Sequence, residues 1–148
     1  MNNLSKLKVL VIDDVHTVRT VLINQLKALG VLDIVEAGSS VEGWKILESA
    51  DSDDTPIELI FCDWIMPGGD GIDLLGQIRS SKNDCIRLTK FVMITGANQK
   101  VNQAMEAGAN NIIHKPFTID VLKFKLEILF NHSIEMKPQR ELEIFSEN

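Results

Sequence analysis

The sequence has no apolar run long enough to cross a membrane, and it contains only two cysteines. A membrane-spanning helix needs roughly 18 or more consecutive apolar residues, and the N-terminal apolar stretch is too short even for a signal peptide. The cysteines, Cys62 and Cys85, lack the spacing of metal ligands, and Cys62 lies inside an apolar segment. We therefore expect a cytoplasmic protein with reduced thiols and no contact with a membrane.

Positive charge is also scarce. The chain has 15 Lys and Arg residues against 21 Asp and Glu residues, and no basic run exceeds two residues. Nucleic-acid binding requires clustered cations facing the phosphates, so direct binding to nucleic acid has little electrostatic support. What the chain does have is 148 residues with 45% hydrophobic content, enough for one globular domain with a single core.

Apolar segments alternate along the chain with amphipathic ones. The apolar segments predict strands at residues 8–12, 33–37, 58–62, 90–94 and 111–114. Helical spacing of apolar residues predicts helices at 15–29, 40–49, 72–79, 99–107 and 118–130, with loops at 51–56 and 81–87. This alternation indicates an α/β fold with a parallel sheet covered on both faces. We assign residues 1–131 to the domain and 132–148 to a C-terminal tail or linker.

Polar side chains follow four of the five predicted strands. They are Asp13 and Asp14, then Asp63, then Thr95, and finally Lys115. Because right-handed crossovers bring the carboxyl ends of parallel strands to one edge of the sheet, we expect these five side chains to lie close together.

Three carboxylates in one cleft repel each other, and one lysine cannot neutralise them. A hard divalent cation such as Mg²⁺ can, because carboxylate oxygens are ligands that it accepts. A carboxylate beside Mg²⁺ is a competent nucleophile toward phosphorus and forms an aspartyl phosphate. The Lys115 ammonium and the Thr95 hydroxyl suit the oxygens of the transferred phosphoryl group. Two structural alternatives stay open: Asp13 and Asp14 as a helix N-cap pair, and Lys115 as a solvated turn residue.

The motifs that carry this chemistry also resemble those of receiver domains of two-component response regulators. The match covers about residues 8–130 and includes Asp13-Asp14, Asp63-Trp64, Met66-Pro67, Asp70-Gly71, Thr95-Gly96 and Lys115-Pro116-Phe117. The resemblance implies a flavodoxin-like (βα)5 fold with strand order 2-1-3-4-5 and a cis peptide bond before Pro116.

The resemblance also implies a role for each site residue. Asp63 would accept the phosphoryl group, Lys115 would pair with that group, and Thr95 would donate a hydrogen bond to it. The implied Mg²⁺ ligands are Asp14, Asp63, the Ile65 backbone carbonyl and, mainly through water, Asp13. The donor would be a histidine kinase or phosphotransfer protein, and the signal would pass to an output protein that the sequence does not name. Similarity to the single-domain form suggests chemotaxis.

This function is that of a signalling switch that catalyses its own phosphorylation, not of an enzyme with turnover. Phosphohydrolases with an Asp nucleophile typically carry a second acid two residues later, where this chain has Ile65. Two alternatives remain: a receiver fragment of a larger response regulator, and a binding module that works without phosphorylation.

Three positions depart from the usual receiver pattern. Ile112 stands where receivers commonly carry Tyr or Phe, so the usual readout of the phosphorylated state is in question. Ile65 and Ala97 flank the implied path of a hydrolytic water, and neither side chain can orient or deprotonate water. We therefore predict slow self-dephosphorylation.

The last predicted helix has two apolar stripes. One contains Ile119, Leu122, Leu126, Leu129 and Phe130, and the other contains Val121, Phe124 and Ile128. One stripe packs on the sheet, so the other needs a cover. The tail could fold back over it, or an output protein or a second copy could bind there. Receivers commonly use their last two helices and the strand between them for such contacts, which favours a partner or a dimer.

Overall fold

The computed structural model describes residues 4–96, 100–131 and 134. Five parallel strands form one sheet in the order β2-β1-β3-β4-β5, as expected. The strands are β1 (Lys8–Ile12), β2 (Asp33–Ala37), β3 (Leu59–Asp63), β4 (Lys90–Thr95) and β5 (Asn111–His114). The helices are α1 (His16–Ala28), α2 (Ser40–Ser52), α3 (Gly71–Arg79), α4 (Asp84–Arg87), α5 (Val101–Ala107) and α6 (Ile119–Phe130), and a 3-10 turn (Leu4–Lys6) precedes β1.

Successive residues of a strand point to opposite faces of the sheet, and apolar side chains are buried on both faces. In β1, Leu10 and Ile12 pack in one apolar cluster and Val9 and Val11 pack in the other. The first cluster includes buried side chains of α2, α3 and α5, and the second includes those of α1 and α6. The sheet therefore has helices on both faces, which leaves the carboxyl ends of its strands at an open edge.

Two predicted loops are partly helical. Residues 84–87, predicted as loop, form the short helix α4, because the Asn83 side chain accepts hydrogen bonds from the N–H groups of Cys85 and Ile86. Helix α2 likewise continues beyond the predicted residue 49 to Ser52, so the predicted loop begins later. The addition of α4 raises the number of α-helices in the described part of the chain from the predicted five to six.

The strands β3 and β4 each end one residue later than predicted. Asp63 pairs in register with Ile94, and Thr95 pairs with His114. The backbones of Asp63 and Thr95 are therefore held by the sheet itself, which fixes where their side chains begin.

The Arg79 side chain ties the opposite edge of the sheet together. Its Nη1 donates to the carbonyls of Arg87 at 2.6 Å and Thr89 at 2.7 Å. Its Nε donates to the Gly108 carbonyl, and its Nη2 donates to Oδ1 of Asn110, the group that also accepts from the N–H of Phe91. One guanidinium thus connects the end of α3 to the chain before β4 and to the chain before β5.

Helix α6 has the two faces that its sequence predicts. Leu122 and Leu126 are fully buried on one face. Val121, Phe124 and Ile128 are 40%, 58% and 51% exposed on the other. Ile134 is buried with the first face, and its N–H donates to a carboxylate oxygen of Glu127, whereas the rest of the predicted tail lies outside the described residues.

No helix in the described ranges is long and apolar enough to span a bilayer.

Candidate functional site

Three carboxylates meet at the carboxyl edge of the sheet. Asp13 and Asp14 follow β1, and Asp63 is the last residue of β3. One oxygen from each lies within 4.8 Å of the other two. Asp13 is buried, Asp63 is partly exposed and Asp14 is exposed, so the cluster opens to solvent on one side.

Asp13 is held by its main chain as well as by its carboxylate. Its N–H donates to the Ala37 carbonyl at 3.1 Å, and its Oδ1 accepts from the N–H of Val15 at 2.9 Å. The N-cap residue of α1 is Val15, and the helix has no side-chain cap. The two aspartates therefore precede the helix and do not cap it, which leaves their outer oxygens for other partners.

Lys115 brings a positive charge to the cluster from the end of β5. Its Nζ lies 3.2 Å from Oδ2 of Asp63 and 3.4 Å from Oδ2 of Asp13. The peptide bond to Pro116 is cis, as the resemblance implies, and the Lys115 N–H donates to the Thr95 carbonyl at 2.8 Å. Lys115 is therefore part of the site, and the solvated-turn alternative is wrong.

The charge of Asp63 is disfavoured in this environment. Burial raises the pKa of its carboxyl, the nearby Lys115 ammonium lowers it, and the charge of Asp13 raises it again, with a net upward shift. Burial also raises the pKa of the neighbouring Cys62 thiol, helped by Asp63 and Asp13. Cys62 is thus a neutral core thiol, and a further cation near Asp63 would favour the ionised carboxylate.

The Thr95 hydroxyl is buried without a hydrogen-bond partner among the described residues. A buried hydroxyl normally has such a partner. An oxygen atom of a group bound beside Asp63 could supply one, which makes Thr95 a candidate ligand-binding residue.

The loop after Asp63 packs closely against the end of β3. The Trp64 N–H donates to the Ile94 carbonyl at 2.9 Å, and the Gly71 N–H donates to the Trp64 carbonyl at 2.7 Å. A Cβ atom on Gly71 would lie 2.5 Å from the Asp63 carbonyl oxygen. Gly71 therefore allows α3 to begin directly against the residue that carries the central carboxylate.

The donor set fits a hard divalent cation such as Mg²⁺. Carboxylate oxygens from three residues converge, and in the described ranges Lys115 is the one basic side chain in ion-pair contact with them. One positive charge leaves the cluster with a net negative charge, and Mg²⁺ prefers such oxygen ligands. Asp13, Asp14 and Asp63 are thus the residues that could hold the ion.

The match to a family model decides what kind of protein carries this site. The model described as "Response regulator receiver domain" matches residues 9–127. The chain belongs to the response regulator receiver family. It is therefore a phosphorylation-controlled response regulator, a signalling protein that works with a phosphoryl donor and an output partner.

Individual receivers are similar over most of the chain. The chemotaxis protein CheY1 of Helicobacter pylori is 40% identical over 125 residues, which cover 83% of this chain and 96% of that protein. A CheY homolog of Campylobacter jejuni is 37% identical over 123 residues, covering 82% and 90%. The crystal structure of a receiver domain protein from Clostridium thermocellum has a TM-score of 0.72 at 27% identity, covering 84% of this chain and 94% of that one.

The positions that depart from the usual receiver pattern differ in their surroundings. Ile112 is buried in β5 opposite Met93 and packs in the core cluster with α2, α3 and α5. The Ile65 side chain is 59% exposed, two residues after Asp63. Ala97 lies outside the described residues. The predicted effects of Ile112, Ile65 and Ala97 on readout and dephosphorylation remain predictions.

The sequence did not single out two residues that shape the receiver site. Gly71 was part of a recognised motif, but its contact with Asp63 depends on how α3 approaches β3. Arg19 lies in the first turn of α1, and its Nη1 donates to the Asp13 carbonyl at 2.6 Å. An arginine on an amphipathic helix normally indicates a solvated face, so no sequence signal distinguished this one.

Proposed function

We propose that this receiver accepts a phosphoryl group on Asp63 from a histidine kinase or phosphotransfer protein. Asp13, Asp14, Asp63 and the Ile65 backbone carbonyl would hold Mg²⁺, Lys115 would pair with the phosphoryl group, and Thr95 would donate a hydrogen bond to it. The observation that carries the proposal is the convergence of three carboxylates with Lys115 in direct contact with Asp63. The Thr95 hydroxyl supports it independently, because it has no hydrogen-bond partner among the described residues.

The transfer exchanges one bond to phosphorus for another. An oxygen of the Asp63 carboxylate attacks the phosphorus of the donor's phosphohistidine. A P–O bond forms as the P–N bond breaks, and the departing imidazole takes a proton from solvent. Bound Mg²⁺ would supply positive charge to the phosphoryl oxygens and to the carboxylates. Lys115 already contacts Asp63, so its ammonium is placed to neutralise charge on the newly attached group.

The first test is incubation with a small-molecule phosphodonor and Mg²⁺, followed by measurement of the intact mass. We expect one added phosphoryl group, lost in Asp63→Asn and in the presence of a chelator. Asp70→Asn is the matched control, because it removes a carboxylate from the following loop that lies outside the cluster. A wild-type protein that binds Mg²⁺ and yet gains no mass would contradict the proposal and favour a phosphorylation-independent binding module.

We further propose that the exposed face of α6, formed by Val121, Phe124 and Ile128, passes the signal on. These three apolar side chains are 40%, 58% and 51% exposed and lie next to one another on one face of the helix, and a contiguous exposed apolar patch of this kind marks a protein-interaction surface. The partner is an output protein or a second copy of this chain. Sedimentation of the phosphorylated protein distinguishes them. A dimer of the wild type that Phe124→Glu abolishes indicates the second copy, whereas a monomeric wild type excludes the second copy and leaves the output protein.

The similarity to chemotaxis proteins of Helicobacter and Campylobacter supports a role in chemotaxis. We expect a cell that loses this protein to keep its growth rate and to lose directed migration on soft agar. Normal migration would contradict this role without affecting the proposed chemistry at Asp63.

A further inference from the structure

The guanidinium of Arg19 is bound on three sides beside the carboxylate cluster. Nη1 donates to the Asp13 main-chain carbonyl at 2.6 Å, and Nε donates to Oε1 of Glu36 at 2.7 Å. Nη2 lies 3.1 Å from Nδ1 of His16. The side chain is only 13% exposed although it belongs to a surface helix. These contacts hold the guanidinium in one orientation between α1 and β2.

The contact with the Asp13 carbonyl fixes a peptide plane. The carbonyl of Asp13 and the N–H of Asp14 belong to the same planar unit, so holding one sets the direction of the other. The Asp13 N–H and Oδ1 are already bound to Ala37 and to the Val15 N–H. Arg19 thus fixes the step from the buried Asp13 to the exposed Asp14, where few other described contacts constrain the chain.

We propose that Arg19 is a positioning residue for the divalent-cation site, because its bond to the Asp13 carbonyl sets the relative placement of the Asp13 and Asp14 carboxylates. The inference rests on the proposed function, in which those carboxylates bind Mg²⁺. Arg19 touches neither carboxylate of the pair, so it acts through the main chain. Glu36 orients the guanidinium from β2 and partly neutralises its charge.

A positioning role and a purely electrostatic role predict opposite results. If Arg19 acted only as a positive charge near the cluster, removing that charge would strengthen cation binding, because repulsion would be lost. If it positions the ligands, removing the fork-shaped guanidinium weakens binding even when the charge is kept. Lysine keeps the charge as a single point and cannot reproduce the three contacts, so Arg19→Lys separates the two roles.

The experiment is a calorimetric titration of the full chain with MgCl₂. Tryptophan fluorescence, to which Trp44 and Trp64 both contribute, is a second readout because Trp64 is adjacent to Asp63. We expect both Arg19→Lys and Arg19→Gln to raise the Kd for Mg²⁺ by about tenfold, the lower end of the effect of residues that orient metal ligands. Arg87→Gln is the matched control, because it removes one positive charge near the opposite edge of the sheet and should leave the Kd unchanged.

The outcomes separate this inference from the proposed function. A wild type that binds Mg²⁺ together with an Arg19→Lys variant that binds it equally well would overturn the positioning role alone. Tighter binding by Arg19→Gln would do the same and identify a charge effect. A wild type that binds no Mg²⁺ would overturn the proposed function, and the inference with it. Thermal unfolding of each variant shows whether the compared proteins are folded. If Arg19→Gln is not folded, the comparison of Arg19→Lys with the wild type is sufficient to test the positioning role.

Discussion

Asp63 holds a negative charge where burial and a second carboxylate oppose it, with Lys115 as the compensating group. Its pKa in the folded protein lies above the ordinary value of 3.8. The folded state therefore binds this proton more readily than the unfolded state, and the ionised form reduces the free energy of unfolding. The ionised form of Asp63, which the proposed phosphoryl transfer needs, is therefore maintained at the expense of stability.

This balance predicts that Asp63→Asn is more stable than the wild type at neutral pH without Mg²⁺. The advantage should shrink as pH falls, because the wild type becomes protonated below its raised folded-state pKa and the two side chains then carry the same charge. Urea unfolding with chelator present, measured from pH 7 downward through the folded-state pKa of Asp63, gives the stability of both proteins at each pH. Asp70→Asn controls for the loss of one negative charge at the same edge. Equal stability of Asp63→Asn and wild type at pH 7 would contradict the assigned cost.

Ile65 predicts a slow reset of the phosphorylated state. Its exposed apolar side chain offers no group that can orient water near the Asp63 phosphoryl group. A hydrogen bond from a polar side chain is worth about 1 kcal/mol, so Ile65→Asn should speed the decay roughly fivefold. The half-life of the phosphorylated protein, followed over time by its intact mass, measures this rate. Val41→Asn, at an equally exposed position on α2, should leave the decay unchanged, and an unaltered rate in Ile65→Asn would count against the prediction.

Site residues could be predicted where each one terminates a strand. The apolar segments that form strands are recognisable in the sequence, and four of them are followed or ended by Asp13, Asp63, Thr95 and Lys115. The parallel topology then brings these four side chains together. Arg19 was not predictable in this way, because its partner at the site is a main-chain carbonyl. Backbone acceptors have no sequence signature, so a side chain that binds one is identified only when the fold is known.

At the scale of elements, the start of α3 and the end of β3 share a close contact through Gly71. A methyl group there would collide with the Asp63 carbonyl, whereas a methyl group on Gly76 of the same helix has no neighbour within 4 Å. We expect Gly71→Ala to cost about 1–3 kcal/mol of unfolding free energy as an overpacked site. Gly76→Ala should instead gain about 0.5–1 kcal/mol from helix propensity.

Urea midpoints of the two glycine variants measure this difference, and the phosphorylation assay adds a functional readout. Gly71→Ala should also slow phosphorylation, because the collision displaces the residue that carries the acceptor carboxylate. If both variants were equally stable and equally active, the close approach of α3 to β3 would have no consequence for the site.

The helices and strands differ in how well they can be predicted from their sequences. The β1 segment is continuously apolar and was predicted as a strand of a buried sheet. The α6 segment has two apolar stripes, and the prediction that one packs on the sheet is confirmed. Helix α4 has four residues, which is too short for a helical period to appear. It exists because Asn83 caps its first N–H groups, and a single capping residue before so short a segment is common in loops as well.

At the scale of the whole molecule, ligand binding at one edge should stabilise the entire fold. An ion that binds only the folded state raises the unfolding free energy by about 2.7 kcal/mol at a concentration of 100 times its Kd. We expect Mg²⁺ to stabilise the wild type in this way and to stabilise Asp63→Asn much less. The ion should therefore reduce or reverse the stability advantage that Asp63→Asn has without Mg²⁺. Thermal unfolding with increasing MgCl₂ measures this, and an equal rise in Tm for both proteins would contradict it.

The Arg79 guanidinium gives the two edges of the sheet separate tasks. Its four contacts secure the chain before β4 and before β5 at the edge away from the carboxylates. The described residues of the carboxylate cluster, with Thr95 and Lys115, make no hydrogen bond to the groups that Arg79 binds. Effects of substitutions more than about 7–10 Å apart without shared partners are usually additive. Substitutions at the carboxylate edge can consequently change how long a phosphorylated state would last without weakening the Arg79 contacts that stabilise the opposite edge.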